Sequence, residues 1–300
     1  MRFGSRIALA AMLTVGACSD DEEASRLDDI DFITYNSLAP AAFLDNGDAL
    51  NALGGGALDG ATTALVDSEP GRALLSYVVR CALGSGATAT FPRPGAPALV
   101  YTGLLGFAPA WKQGSLNLTG RRLMTGCLMA HVNAFETQVP ISIRNAVVGD
   151  AGLVEKLLYS AQELAVYGNY FAPAAEREVY VCFGQAVAQS LGNDGALSSA
   201  LPSYLDLRVC STSQQCGFNR VGACYHWPST PQVTTWACER QSGSLFESCH
   251  EAPIQQQVTP AWEETVSVYL QPVHLTLLLT TYVDLICEIS GGLICDLIGL

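Results

Sequence analysis

The stretch Thr119–Arg144, TGRRLMTGCLMAHVNAFETQVPISIR, decides the class of fold. In its first part Leu123, Met124, Cys127, Leu128, His131 and Phe135 recur at the three- and four-residue spacing of one helix face, and Thr119 is a suitable N-cap. Arg122, Thr125, Met129, Asn133 and Glu136 make up much of the other face. The closing VPISIR alternates instead, with Pro140 near its start and Ile141 and Ile143 pointing one way, as in a strand. A helix running into a strand, with no repeating βαβ rhythm around it, predicts an α+β fold rather than a doubly wound sheet.

The flanking sequence extends this reading in both directions. RALLSYVVRCAL (Arg72–Leu83) has helical spacing after the breaker Pro70-Gly71, with Cys81 near its end. ALVYTGLLGF, after the Pro-rich FPRPGAP, reads as a strand entering a loop that carries Trp111. LVEKLLYSAQELAVYG (Leu153–Gly168) reads as one helix, ended by Gly168-Asn169. REVYVCFG (Arg177–Gly184) and ETVSVYL (Glu264–Leu270) read as strands, the second closing the sheet.

The N-terminus supplies an address. Arg2 and Arg6 precede an apolar run, Ile7–Val15, and the small residues before Cys18 complete a secretory signal whose VGAC end resembles a bacterial lipobox. That resemblance implies cleavage before Cys18, lipidation of Cys18 and an exported, cell-envelope location, in the outer membrane or periplasm. The SDDEEASRLDDID run that follows (Ser19–Asp31) holds seven carboxylates and one arginine and predicts a solvated tether. Loss of residues 1–17 leaves 13 basic against 28 acidic groups, a net charge of -15. This argues against nucleic acid as a partner, since phosphates require a basic face.

These shifts in composition divide the chain into a signal peptide (1–17), an acidic tether (18–35), an Ala/Leu/Gly-rich segment of low order (36–70), a disulfide-braced α+β domain (71–270) and an apolar tail (271–300). Export implies an oxidising compartment. The ten cysteines left after Cys18 (Cys81, Cys127, Cys182, Cys210, Cys216, Cys224, Cys238, Cys249, Cys287 and Cys295) therefore read as disulfides, with Cys81 a candidate partner for Cys127. Five of them crowd into Cys210–Cys249, which predicts a loop-rich, stapled C-terminal lobe. In the tail, LICEI and LICDL flank Ser290-Gly291-Gly292, so Cys287 would oppose Cys295 across a hairpin, with two short amphipathic helices as the competing reading. The apolar run Leu275–Val283 is too short to span a bilayer, which needs about 20 residues.

YVVRCAL, GLLGFAPAW, CLMAHVN with VPISIRN, ELAVYGNYF, VYVCFG, CGFNRVGAC, SGSLFESC and ETVSVYL occur in an order that resembles a group of uncharacterised, cysteine-rich secreted or lipidated proteins of myxobacteria. The resemblance runs from Asn36 to Leu270. It implies the exported address and the domain limits, and it carries no activity.

No motif fixes a reaction: GxSxG, a Walker loop and a GxGxxG after a strand are all absent from the sequence. Cys127 and His131 are four residues apart and could meet on one helix face, but a zinc site needs further ligands, and a catalytic thiolate needs a stabilising cation or helix N-terminus. His226 beside Cys224 and His250 beside Cys249 are metal candidates of the same kind, without CxxC pairs at finger spacing. No cofactor is expected. The best enzyme candidate is a secreted hydrolase with Glu163 and His131 sharing a cleft. The leading expectation is a lipid-anchored envelope protein whose domain acts as a binding or structural module for an unknown envelope or extracellular ligand.

Overall fold

The structure is a computed structural model that describes residues 33–135, 138–147, 149–192, 201–210, 217–230, 233–254 and 261–289. Its strands, in chain order, are β1 (Ile33–Tyr35), β2 (Thr88–Arg93), β3 (Ala96–Thr102), β4 (Pro140–Arg144), β5 (Ala161–Asn169), β6 (Glu178–Phe183), β7 (Asn219–Ala223), β8 (Cys238–Ser242), β9 (Leu245–Cys249) and β10 (Val266–Leu270). The helices are α1 (Pro40–Leu44), α2 (Gly47–Gly54), α3 (Glu69–Ala82), α4 (Leu118–His131), α5 (Leu153–Leu158), α6 (Gln185–Gly192), α7 (Leu201–Cys210) and α8 (Pro272–Ile289). The α+β class follows. One sheet has the order β1-β4-β10-β5-β6-β7 and is antiparallel except between β6 and β7, while β2–β3 and β8–β9 form separate hairpins.

The quoted stretch folds as α4 and β4. Asn117, not Thr119, caps α4, its side-chain oxygen accepting from the Gly120 N–H at 2.7 Å. The helix is also less two-sided than its sequence implies, because Thr125 and Met129 are buried along with Cys127, Leu128 and His131. It lies across β5 and β10. Gly126 is the point of closest approach: a Cβ there would stand 2.5 Å from Val266 Cγ2, so a glycine lets the helix settle on the sheet.

Further expectations are corrected. The Leu153–Gly168 stretch is not one helix: only Leu153–Leu158 coils, and Ala161–Asn169 is strand β5, paired on both sides and buried from Ala161 to Gly168. Helix formers such as Ala, Gln, Glu and Leu take the extended form because β10 and β6 supply ladder partners on the two sides, both at once over Leu164–Val166, which outweighs intrinsic preference. ETVSVYL forms β10, which is central, between β4 and β5, rather than a closing edge. The strand expected after the Pro-rich FPRPGAP is present as β3, with the Pro-rich residues at the β2–β3 hairpin.

Another correction concerns domain limits. Residues 36–70 are not of low order, since α1 and α2 lie there and Phe43, Leu50, Leu58 and Leu65 are fully buried. The last tether residues form β1 on the sheet edge, with Thr34 buried. At the other end, Pro272–Ile289 is a single helix that buries Leu278 and Tyr282, so the expected hairpin around Cys287 gives way to a helical end of the same fold. Cys295 lies outside the described residues. Among the described residues no helix is long and apolar enough to cross a membrane.

Among the described residues the disulfides Cys81–Cys127, Cys182–Cys224 and Cys238–Cys249 brace this arrangement, and Cys287 is disulfide-bonded as well. The pairing of Cys81 with Cys127 is the one expected, and it staples α3 to α4. Closing its 46-residue loop is worth about 4 kcal/mol in the chain-entropy account. Cys18, Cys216 and Cys295 fall outside the described residues, as does the side chain of Cys210.

Candidate functional site

Strand β5 places two adjacent residues on opposite faces of the sheet, Gln162 on one and Glu163 on the other. They lead to two polar centres of different character.

Glu163 belongs to a closed centre. Its carboxylate is fully buried and accepts from the Tyr204 hydroxyl at 2.8 Å and the Arg208 Nε at 2.8 Å, both on α7. Arg208 also donates to the Val132 carbonyl at the end of α4, where the helix dipole favours a cation. Burial raises the Tyr204 phenol far above its usual range, so it stays a neutral donor. His131, at the last position of α4, is equally buried. Its Nδ1 lies 2.8 Å from the Cys127 carbonyl and its Nε2 3.1 Å from the Thr34 hydroxyl, so the neutral ring donates through Nδ1 and accepts at Nε2. Burial, helped by the charges of Arg80 and Arg208, lowers its pKa to about 3 even though the Cys127 carbonyl acts the other way.

The proposed Glu163 and His131 pair is therefore closed to substrate. Both side chains are 0 % exposed and spend their polar atoms on protein partners, so they share no cleft that a substrate could enter. Sequence reasoning went astray at Glu163 because it placed the residue on a helix, whereas β5 carries it into the core.

The metal candidates resolve in the same way. Among the described residues one group of potential ligands, Cys81, Cys127 and His131, has its ligand atoms within 4.8 Å of one another. The disulfide consumes both thiols, and a metal would need them as thiolates. Cys224 and Cys249 are likewise oxidised. His226 is exposed and rests on the Trp236 ring at 5.0 Å, while His250 is buried with its Nε2 3.0 Å from Glu239. Among the described residues neither histidine joins a ligand cluster. Cys18 lies outside the described residues.

Gln162 belongs to the second centre, which is open. Registry across β4, β10 and β5 puts Ser142, Tyr269 and Gln162 side by side on one face, and Arg144 two residues along from Ser142 shares it. Of these, Arg144, Tyr269 and Gln162 line a cavity of about 330 Å³, together with Lys156 on α5, Gln185 and Gln189 on α6, and the β8–β9 turn. Gly243 has a φ of 60° at that turn, the left-handed conformation a two-residue hairpin requires, and it brings Ser244 over the cavity. The Tyr269 hydroxyl donates to the Ser244 carbonyl at 2.8 Å and accepts from Gln162 Nε2 at 2.7 Å, locking the tyrosine in place.

Arg144 forms the floor. It is 2 % exposed, its guanidinium stacks on the Tyr269 ring at 3.9 Å, its Nε donates to Ser142 Oγ at 2.9 Å and its Nη2 donates to the Tyr159 carbonyl at 2.7 Å. Ser142 in turn donates to Glu155 at 2.5 Å. No carboxylate among the described residues lies within salt-bridge distance of Arg144, and Nη1 has no protein partner there. Burial pushes the Arg144 pKa down while Tyr269, Glu155 and Asp150 hold it up, and a guanidinium remains charged under those conditions. Lys156, half-exposed at the rim, bonds to Asp150 at 2.6 Å. The signal for this site was present in the sequence: VPISIR puts Ser142 and Arg144 opposite the apolar Ile141 and Ile143.

No protein-family model, curated protein or solved structure matches the chain.

Proposed function

We propose that this protein is an exported binding module, anchored in the cell envelope through a lipid on Cys18, whose ligand enters the Arg144 cavity. The observation that carries the binding half is the cavity itself: a buried cation with an unused donor, surrounded by fixed polar groups, is how small-molecule sites orient a ligand. Arg144 lines the cavity and, among the described residues, its Nη1 spends no bond on the protein, which keeps a charged donor available to whatever fills the space. The address half is supported by the signal-like residues 1–18 and by disulfides, which fit an oxidising compartment. The acidic run Ser19–Asp31 supplies the solvated spacer that an anchored domain requires.

Mass spectrometry of the mature N-terminus from envelope fractions tests the address. The expected species begins at an acylated Cys18 and is lost in Cys18→Ser. A chain that keeps residues 1–17, or one cleaved elsewhere and released, would overturn the anchor.

A further inference from the structure

We infer that the Arg144 cavity takes a small hydroxylated carboxylate, about the size of one sugar acid, with Arg144 as the main anchor of the carboxylate and Lys156 as its second contact. This rests on the binding-module reading and adds the chemical class of the ligand.

The first support is the sign of the lining. The chain carries 28 acidic groups against 15 basic, yet the charged residues lining the cavity are Arg144 and Lys156, with no carboxylate among them. The counter-charges sit behind the wall: Asp150 bonds to Lys156 and to Ser244, and Glu155 accepts from Ser142. A ligand in the cavity meets the two cations first. Because Asp150 and Glu155 offset part of that charge from behind, one negative charge suits the site and a doubly charged phosphate does not.

The second support is the set of unspent hydrogen-bonding groups. Arg144 is held rigid by Ser142, Tyr159 and the Tyr269 ring, so its Nη1 edge is presented in a fixed direction with little entropy to lose. Guanidinium and carboxylate match in shape and charge. Gln185 and Gln189 both spend their Nε2 groups on Ser229 Oγ at 2.9 Å, which leaves their carbonyl ends to accept from hydroxyls. The site thus offers cations at the floor and rim and neutral acceptors on the wall. A volume of about 330 Å³ stands at the small end of ligand pockets, roughly 300–1,000 Å³.

Calorimetric titration of the full chain with sodium glucuronate, glucose and inorganic phosphate at constant ionic strength tests the inference. Glucuronate is expected to bind at least about tenfold more tightly than glucose or phosphate, since loss of one charge-assisted contact costs that much or more. Lys156→Gln should weaken glucuronate severalfold, and Arg144→Met should abolish its binding. If Arg144→Met fails to fold, the half-exposed Lys156 still decides the matter, because its replacement leaves the core untouched. Glucose binding as tightly as glucuronate, with Lys156→Gln without effect, would overturn the carboxylate assignment and leave the binding module standing. No binding by any of the three probes would overturn both.

Discussion

Two buried arginines, Arg144 on β4 and Arg208 on α7, meet different fates. Arg208 is closed off: the Glu163 carboxylate takes its Nε, the Val132 carbonyl takes its Nη1, and no solvent reaches the group. Arg144 is as deeply buried, but it lacks a direct carboxylate partner among the described residues and stands at the floor of a cavity. The first is the pattern of a structural ion pair, which holds α7 against β5. The second is the pattern of a site that leaves part of its bonding to a ligand. Burial alone does not tell the two apart; the accounting of partners does.

The largest expected effect is at the closed centre. Glu163→Leu strands the Arg208 charge in the core and should cost about 3–5 kcal/mol in urea unfolding at pH 7, whereas the double variant Glu163→Leu/Arg208→Met should recover most of that loss. A single variant that loses less than about 1 kcal/mol would show that Arg208 has another outlet and would break the contrast.

His131 sharpens the same contrast through pH. Its folded-state pKa of about 3 lies below the ordinary histidine value of 6.5, so the unfolded chain binds the extra proton between those limits. Its stabilising contribution is complete above pH 6.5 and falls as the pH drops towards about 3, by up to about 1.4 kcal/mol per pH unit. Replacing His131 by Gln should flatten that part of the stability profile. An unchanged slope would mean that other groups carry the acid sensitivity.

Arg144→Met should have the smallest effect on stability, about 1 kcal/mol, since methionine keeps the packing on Tyr269 and only the bonds to Ser142 and Tyr159 are lost. A loss as large as that of Glu163→Leu, again read from urea unfolding, would place Arg144 among the structural groups and remove the contrast.

The sequence made part of this legible. Periodicity in Thr119–Arg144 located α4 and β4 and hence the fold class, and the expectation of export led to the cysteine pairing at Cys81 and Cys127 that the structure has. It failed at Ala161–Asn169, where helix-forming residues sit in the middle of a sheet because strand partners far along the chain, at Val266–Leu270 and Glu178–Phe183, decide their conformation. That single misreading hid both centres, since Gln162 and Glu163 belong to different faces only if the segment is extended. It also hid the cavity, whose walls come from β4, β5, β10, α5, α6 and the β8–β9 turn. The first and last of these elements, β4 and β10, are more than a hundred residues apart in the chain. Residues 36–70 were misjudged for a related reason, because small residues that look like linker become core once α1 and α2 dock on the rest.

The contrast between the arginines is tested most directly by side-chain NMR of the full chain labelled with ¹⁵N-arginine and titrated with glucuronate, with Arg144→Lys and Arg208→Lys used for assignment. The account predicts that the Arg144 resonances shift in a saturable way while those of Arg208 stay fixed. Shifts at Arg208 equal to those at Arg144, or none at either, would contradict it.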